Sequence, residues 1–273
     1  MPEAVKSVLL YSIKHDMKFG ICNLSLVAVR KSPDHCSEIV TQLLFGDTFE
    51  IIEKENAWIN IKTHYDEYLG WIHHLQFQSL DVSEFEVYNA QLKVLVSDSL
   101  SFLTDVRSKM QINLLMGSCI PLPASEKFSI GNSDYRFEGN YISAIKNKTS
   151  IIQYAEKFLN APYLWGGRTL YGIDCSGFTQ MVYKLSGFFL PRDASQQAQC
   201  GETLSFLSEA ETGDLVFFDN ELGNITHVGI VYDNQHIIHS SGCVRIDLLD
   251  HNGIFNAALG KYTHSLRLIK KLL

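Results

Sequence analysis

The periodic pattern of the sequence changes near residue 143, and this change limits the possible folds more than any other feature. Before it, short segments of β-branched and aromatic residues alternate with turn residues, which is typical of small β-domains. After it, Thr149 is placed to cap a helix and a second helix starts near Cys175. Strands are then expected at 214–218, 227–232 and 236–241. Helices followed by an antiparallel sheet define an α+β architecture.

The first of these helices is expected to present one broad apolar face. That face would carry Ile151, Ile152, Ala155, Phe158 and Leu159. The second helix shows the same spacing in Phe178, Met181, Val182 and Leu185. Apolar residues at this spacing predict two helices that pack into one core.

The segment before residue 143 predicts two small barrels in succession. Strands are expected at 26–30, 49–52, 58–61 and 69–72. Four or five short strands in about sixty residues describe a small barrel. A weaker copy follows, since Leu-Leu-Phe-Gly at 43–46 returns as Leu-Leu-Met-Gly at 114–117. We therefore expect domains at 1–80, 81–143 and 144–273.

The composition of the chain argues against two classes of partner, nucleic acids and membranes. A chain of 273 residues that is 46% hydrophobic and 19% charged suits two or three globular domains. The net charge of -7 and the lack of a basic cluster argue against nucleic acid as a partner. No apolar stretch is long enough to span a bilayer, so no membrane partner is expected.

The start of the chain and its cysteines point to a reducing compartment. The apolar run at 8–11 is too short for the core of a secretory signal, so a chain that begins at Met1 is expected in the cytoplasm. The six cysteines stand at 22, 36, 119, 175, 200 and 243. Their irregular spacing gives weak support to a disulfide framework and agrees with reduced thiols.

Cys175 stands where a loop turns into the second helix. Free backbone N–H groups and the positive end of the helix dipole at such a position favour a thiolate. The small residues Ser176 and Gly177 leave room for a substrate, and nearby N–H groups are suited to bind an oxyanion. Cys175 is therefore the predicted nucleophile.

Two histidines are placed to serve this cysteine. His227 begins an apolar strand, and His239 lies in the next strand. A hairpin centred on Asp233 would set them directly opposite each other, and their even separation puts both on one face. His227 is then the predicted base and His239 the residue that orients it.

A zinc site is the structural alternative for these three side chains. Two imidazoles and a thiolate are ordinary zinc ligands. However, no fourth ligand stands out in the sequence, and a thiol at the start of a helix needs no metal. We therefore expect neither a metal nor a cofactor.

These residues resemble the NlpC/P60 family of cysteine peptidases. The matching segments are PYLWGG at 162–167, DCSGF at 174–178, PRD at 191–193, GDLVFF at 213–218, HVGI at 227–230 and HS at 239–240. The resemblance covers roughly 145–273 and implies a reduced papain-like domain. It places the catalytic roles on Cys175, His227 and His239, and makes Tyr163 a site-lining residue that assists the oxyanion hole.

The N-terminal part resembles bacterial SH3-like domains that accompany such peptidases. Two of them before this catalytic domain are similar to the γ-D-glutamyl-L-diamino acid endopeptidases of the family. These cleave murein peptides that have a free N-terminal L-Ala. The resemblance implies that Glu38, Tyr68 and Asp193 receive the ammonium group, which two carboxylates and a phenol can solvate.

Further substrate contacts follow from the same resemblance. Asp174 and Ser176 match positions that contact the γ-D-Glu portion, and Trp165 could wall the cleft or simply pack. Ala194 departs from the family pattern, because a hydroxyl is common there. A side-chain hydrogen bond to substrate from that position is therefore in doubt.

The sequence leaves two other functions open. An exported endopeptidase would act on intact peptidoglycan and use the SH3-like domains as wall anchors. A non-catalytic protein would bind wall peptides without cutting them. The short apolar run at 8–11 speaks against the first, and the presence of Cys175, His227 and His239 speaks against the second.

Overall fold

The computed structural model describes residues 18–122, 127–143 and 146–272, and these divide into two compact units. The first holds the described residues of Met1–Glu38 and Gln42–Tyr141, and the second holds those of Ile39–Thr41 and Ile142–Leu273. The boundary at 141/142 lies close to the change of sequence pattern. The apolar run at 8–11 lies outside the described residues.

A seven-stranded antiparallel sheet forms the first part of the first unit. Its strands are β1 (Phe19–Ile21), β2 (Leu26–Arg30), β3 (Ile39–Leu44), β4 (Thr48–Glu55), β5 (Trp58–Thr63), β6 (Leu69–His73) and β7 (Gln78–Leu80), in the order β3-β2-β6-β5-β4-β1-β7. Four of them contain the expected segments. Strand β3 was not predicted from the sequence. Its last four residues are all buried, so the strand lacks the alternation of apolar and polar residues that marks a half-buried strand.

Helix α1 (Val82–Ala90) follows this sheet and was not expected from the sequence. Asp81 caps it: the carboxylate accepts from the backbone N–H of Glu84, and the Glu84 carboxylate accepts from the N–H of Asp81. This reciprocal capping box is the sequence signal that would have revealed the helix.

Two smaller sheets follow in the first unit, except that Ile142, the last residue of β14, belongs to the second. Their strands are β8 (Lys93–Val96), β9 (Leu100–Asp105), β10 (Gln111–Leu115), β11 (Cys119–Pro121), β12 (Lys127–Ile130), β13 (Ser133–Glu138) and β14 (Tyr141–Ile142), in the orders β10-β9-β13-β12 and β11-β8-β14. Buried residues from before and after position 80, including Phe45 and Phe137, share one hydrophobic cluster. A domain boundary at 80/81 stays a prediction.

The repeated Leu-Leu-Phe-Gly motif marks one turn that occurs twice. Gly46 and Gly117 both have positive φ, at 84° and 88°. The N–H of Gly46 donates to the carbonyl of Cys22 at 2.8 Å, and the N–H of Gly117 donates to the carbonyl of Val96 at 2.9 Å. The motif therefore recurs because the same left-handed turn closes both β-regions.

The second unit begins with three helices. They are α2 (Ser150–Lys157), α3 (Cys175–Leu185) and α4 (Ala194–Gln197). Thr149 precedes α2 as expected, but the expected cap is wrong, because its hydroxyl bonds to the Asn147 side chain. Phe158 and Leu159 lie beyond the end of α2, so they are not on its face.

Helix α3 is the central helix of the second unit, and it lies against strands β19 and β20 of the sheet described next. All of its residues are buried. The ring of Phe158 meets the ring of Phe178 edge to face, with centroids 5.8 Å apart. This packing fixes the start of α3, where Cys175 stands.

An antiparallel sheet closes on itself beside α3. Its strands are β17 (Glu202–Leu204), β18 (Leu215–Asp219), β19 (Ile225–Asp233), β20 (His236–Ser241), β21 (Cys243–Asp250), β22 (Gly253–Asn256) and β23 (Lys261–Lys271), in the order β17-β23-β18-β19-β20-β21-β22. β23 also pairs with β22, so six strands form a ring around a buried apolar cluster. A short hairpin of β15 (Arg168–Thr169) and β16 (Gly172–Ile173) leads into α3.

Membrane-spanning helices are not found in the part of the chain that the structure describes. None of its helices is both long and apolar enough to cross a bilayer.

Replacing Phe178 by alanine should lower the free energy of unfolding of the second unit by about 3–5 kcal/mol, because a fully buried ring leaves a cavity. Phe206→Ala is the control, since that ring is 68% exposed and its loss should cost under about 0.5 kcal/mol. Urea unfolding followed by circular dichroism measures both. If both substitutions lowered the free energy of unfolding by the same small amount, α3 would not lie at the centre of the core.

Candidate active site

Cys175 is the first residue of α3, and Asp174 holds the loop before it. The Asp174 carboxylate accepts from the N–H of Gly177 at 2.7 Å and from the N–H of Gly166 at 2.8 Å. The first bond caps the helix and the second ties the preceding loop to it. Cys175 is thereby presented at the place that the sequence predicted.

Burial controls the protonation of this thiol. Cys175 is only 6% exposed. Burial, with the nearby Asp174 carboxylate, raises the pKa of the Cys175 thiol to about 11, although N–H groups of Val228 and Ser176 and the Arg192 guanidinium act in the opposite direction. The N–H group of Ser176 at the helix start does favour the thiolate, as expected, but desolvation outweighs it. The thiol is protonated near neutral pH and needs a base.

His227 and His239 form the pair that can supply this base. Nε2 of His227 lies 2.8 Å from Nδ1 of His239, and both side chains are buried. The N–H of Val228 reaches the Cys175 sulfur, so the thiol lies beside the start of the His227–Gly229 segment. The predicted meeting of the two histidines on one face of the sheet is confirmed.

The predicted register of the two histidines is wrong. His239 pairs with Gly229, two residues from His227, because the turn lies beyond Asp233 and a bulge interrupts the ladder between Val231 and Asp233. A shift by two residues keeps both side chains on the same face. The histidines are therefore diagonal neighbours, and their rings still reach each other.

Gly229 makes this approach possible. A Cβ added there would lie 2.9 Å from Cβ of His239 and 2.7 Å from Cδ1 of Ile237. Any larger residue would push His239 away from its partner strand. The close approach of β20 therefore requires a glycine at position 229, in the HVGI segment.

Asp247 and Arg245 lie on the far side of His239, and the sequence analysis missed both. Oδ2 of Asp247 is 3.1 Å from Nε2 of His239, and Nη2 of Arg245 donates to Oδ1 of Asp247 at 2.8 Å. Arg245 stands directly opposite His239 in the ladder of β20 and β21. The alternating polar residues Arg245 and Asp247 on that strand were the available signal.

His264, also missed, stacks on the predicted base. The rings of His227 and His264 have centroids 4.1 Å apart and an interplanar angle of 26°. Burial lowers the pKa of His264 from 6.5 to about 4, and His239 lowers it further, while Asp247 opposes this. His264 is therefore a neutral, flat surface against His227 near neutral pH.

A pocket of about 270 Å³ opens at the exposed side of this cluster. It is lined by Tyr163, Thr226, His227, Ser240, Ser241, Gly242 and His264. The backbone N–H of Tyr163 donates to the carbonyl of Gly242 at 2.9 Å. Burial, with Cys175 and Asp174, raises the pKa of Tyr163 to about 12, so its hydroxyl keeps the proton that an oxyanion would need.

Arg192 organises the residues that flank Cys175. Its guanidinium forms two bonds to the Asp174 carboxylate, at 3.0 and 2.6 Å, and a third to the Ser176 hydroxyl at 2.9 Å. All three residues are buried. Asp174 thus serves the protein itself, and its predicted contact with substrate stays a prediction, as does that of Ser176.

The other predicted substrate residues lie on surfaces of their own units. Trp165 is 59% exposed, and Asp193 is half-buried immediately before α4. In the first unit, Glu38 is exposed and pairs with Lys31 at 3.1 Å, and Tyr68 is half-buried immediately before β6. The joint role of Glu38, Tyr68 and Asp193 stays a prediction.

Among the described residues 18–122, 127–143 and 146–272, no group of three or more His, Cys, Asp and Glu side chains could hold a metal ion.

Comparison with known proteins identifies two segments. The profile of the NlpC/P60 family matches residues 160–262, and that of the bacterial dipeptidyl-peptidase SH3 domain matches residues 29–76. The gamma-D-glutamyl-L-lysine dipeptidyl-peptidase of Bacillus subtilis (strain 168) is 27% identical over 248 residues, which span 85% of this chain and 78% of the relative. The dipeptidyl-peptidase 6 of Lysinibacillus sphaericus is 26% identical over 236 residues, 77% of this chain and 82% of the relative.

A solved structure has the same fold. The crystal structure of an NlpC/P60 family protein from Bacillus cereus ATCC 10987 matches with a TM-score of 0.81 and 19% identity, over 94% of this chain and 100% of that one. The predicted fold class, an α+β papain-like domain after an SH3-like β-rich region, is confirmed.

Acid should destabilise the protein because protonation of His264, which is half-buried, is disfavoured in the folded state. The folded state binds fewer protons than the unfolded chain between about pH 6.5 and pH 4, because the pKa of His264 is lowered over that range. The midpoint of urea unfolding should therefore be lower at pH 5 than at pH 7. In His264→Phe, which keeps a flat ring, the decrease should be smaller, and an equal decrease would contradict this assignment.

Proposed function

We propose that this chain, which carries an NlpC/P60 domain and a bacterial dipeptidyl-peptidase SH3 domain, is a cysteine peptidase specific for murein peptides. It hydrolyses the bond between γ-D-glutamate and the diamino acid, lysine or diaminopimelate, in peptides with a free N-terminal L-Ala. The name of the Bacillus subtilis relative, gamma-D-glutamyl-L-lysine dipeptidyl-peptidase, supports the choice of this bond. The chemistry rests on one observation: the buried Cys175 sulfur accepts from the backbone N–H of Val228, the residue after His227, and Nε2 of His227 lies 2.8 Å from Nδ1 of His239.

Acylation begins with removal of the thiol proton. Burial, together with His239 and His264, holds the pKa of His227 well below its ordinary value, so His227 is a neutral base before the reaction. It accepts the proton of Cys175 as the sulfur attacks the γ-carbonyl carbon of the D-glutamyl residue. The developing oxyanion accepts a hydrogen bond from the Tyr163 hydroxyl.

The leaving group and water complete the cycle. His227 gives the proton to the departing amine of the diamino acid as the C–N bond breaks, which leaves a thioester on Cys175. Water then loses a proton to His227 and attacks the thioester carbonyl. The second tetrahedral intermediate collapses to the γ-carboxylate product, and the proton returns to the sulfur.

Specificity for a free N-terminus is assigned to Glu38, Tyr68 and Asp193. Two carboxylates and a phenol can replace the water around an ammonium group. An acylated N-terminus carries no positive charge, so it would offer the two carboxylates no cation to pair with. This preference for short free peptides supports a role in recycling wall fragments in the cytoplasm.

All six cysteines of the chain are free thiols. Free thiols are typical of proteins in a reducing compartment. They support the cytoplasmic assignment, which fractionation of cells that produce the protein can test.

Tyr163→Phe should reduce kcat by about 10²-fold with little change in KM, because one donor to the oxyanion is lost. Tyr171→Phe is the matched control, since Tyr171 is 65% exposed and lies outside the pocket. Steady-state kinetics on L-Ala-γ-D-Glu-L-Lys measure both variants. Equal activities of Tyr163→Phe and the wild type would remove Tyr163 from the reaction.

Free tripeptide and whole sacculi distinguish the proposed enzyme from an exported wall endopeptidase. We expect turnover of L-Ala-γ-D-Glu-diamino acid tripeptides and no release of fragments from sacculi. Rapid digestion of sacculi with no cleavage of tripeptide would refute the proposed specificity. Binding of the tripeptide without cleavage would instead indicate a non-catalytic binder.

N-acetylation of the tripeptide should abolish turnover if its ammonium group is recognised. Asp193→Asn and Glu38→Gln should raise KM for the free tripeptide, because each removes a negative charge. Glu202→Gln, an exposed glutamate of the second unit, serves as the control. Unchanged rates on the acetylated peptide would refute the assignment of the three residues.

A further inference from the structure

The buried carboxylate of Asp247 has no role in the mechanism given above. Its side chain is 5% exposed, and it lies 3.1 Å from His239, which in turn lies 2.8 Å from His227. A carboxylate is removed from water only at considerable cost unless hydrogen bonds satisfy it. Its position at the end of the histidine pair therefore calls for an explanation.

The charges at this end of the pair are defined by their surroundings. Burial alone would raise the pKa of Asp247, but hydrogen bonds from His239 and Arg245 more than offset this and leave the pKa lowered. Burial lowers the pKa of His239, although Asp247 opposes that effect. An ionised carboxylate thus faces a neutral imidazole near neutral pH.

This combination leaves one arrangement of protons. An ionised carboxylate only accepts hydrogen bonds, so Nε2 of His239 must carry the proton and donate to Asp247. A neutral imidazole has one N–H, so Nδ1 of His239 has a lone pair. Nε2 of His227 must then donate to that lone pair, and Nδ1 of His227 is left without a proton.

We propose that Asp247 is a positioning residue that sets the tautomers of His239 and His227, and so leaves Nδ1 of His227 free to accept the Cys175 proton. The inference rests on the proposed role of His227 as the base. The side chain of Asp247 contacts His239 and Arg245, and it acts through His239. When His227 becomes an imidazolium, the lone pair of His239 and the charge of Asp247 stabilise it.

Because Arg245 occupies one oxygen of Asp247, the tautomers of the two histidines depend on which atom of residue 247 faces His239. Its Nη2 donates to Oδ1 of Asp247 at 2.8 Å, which leaves Oδ2 for His239. In Asp247→Asn the amide has only one acceptor atom, and the Arg245 cation should hold it. The amide N–H would then donate to Nε2 of His239, which reverses both histidine tautomers.

Asp247→Asn should therefore lower kcat by at least about 10²-fold with little change in KM, although it keeps the size of the side chain. Adding Arg245→Ala to Asp247→Asn frees the amide oxygen to accept from His239, and should restore kcat at least about tenfold, since one displaced hydrogen bond is regained. Asp250→Asn, at the end of the same strand, is the control, since that carboxylate accepts a hydrogen bond from Tyr262 instead of from His239.

The decisive readout is the tautomer itself, observed by ¹⁵N NMR of histidine side chains. We expect a proton on Nε2 and none on Nδ1 of His239 in the wild type, and the reverse in Asp247→Asn. A wild-type His239 that carries its proton on Nδ1 would overturn the proposal even if no variant folds. The same tautomer in both proteins, or full kcat in Asp247→Asn, would also overturn it.

This measurement separates the two proposals, because it needs no substrate. A wild type that cleaves no tripeptide but shows the expected tautomers would refute the proposed function and leave the assignment of Asp247 intact.

Discussion

The hydrogen bond between His227 and His239 is the interaction on which the rest of the site depends. It joins adjacent strands of a closed ring, and it exists because Gly229 lets His239 approach its partner strand. His264 holds the other face of His227 from a third strand. The sheet thus fixes His227, the proposed base, while a helix packed against the same strands fixes Cys175, the proposed nucleophile.

Burial of this cluster has opposite effects on the pKa values of its two reacting groups. It raises the pKa of Cys175 and lowers that of His227, so the resting site holds a neutral thiol and a neutral imidazole. Proton transfer then creates a charge pair where little water can solvate it. Two hydrogen bonds strengthen as charge develops: one from the Tyr163 hydroxyl to the oxyanion, and one from His227 to His239. Such bonds stabilise the transition state most where water is excluded.

The sequence predicted the placement of Cys175, His227 and His239 better than that of the residues around them. Cys175 at a helix start and two histidines at an even separation follow from local patterns, which the fold preserves. The register of His239 did not follow, because a bulge near Asp233 leaves no mark in the spacing of apolar residues. Asp247 and His264 were missed because their importance arises from strand pairing that brings distant residues to one point. The rise in the pKa of Cys175 could not be predicted, because desolvation depends on tertiary packing.

The central claim, that Cys175 is acylated by the γ-D-glutamyl group, can be tested by mass spectrometry of an acid-quenched reaction. L-Ala-γ-D-Glu-L-Lys is mixed with enzyme and quenched within one turnover, and the peptide that contains Cys175 is analysed. We predict an adduct of L-Ala-D-Glu on that cysteine in the wild type, and neither adduct nor product release in Cys175→Ala. Cleavage of the tripeptide by Cys175→Ala at the wild-type rate would contradict the account.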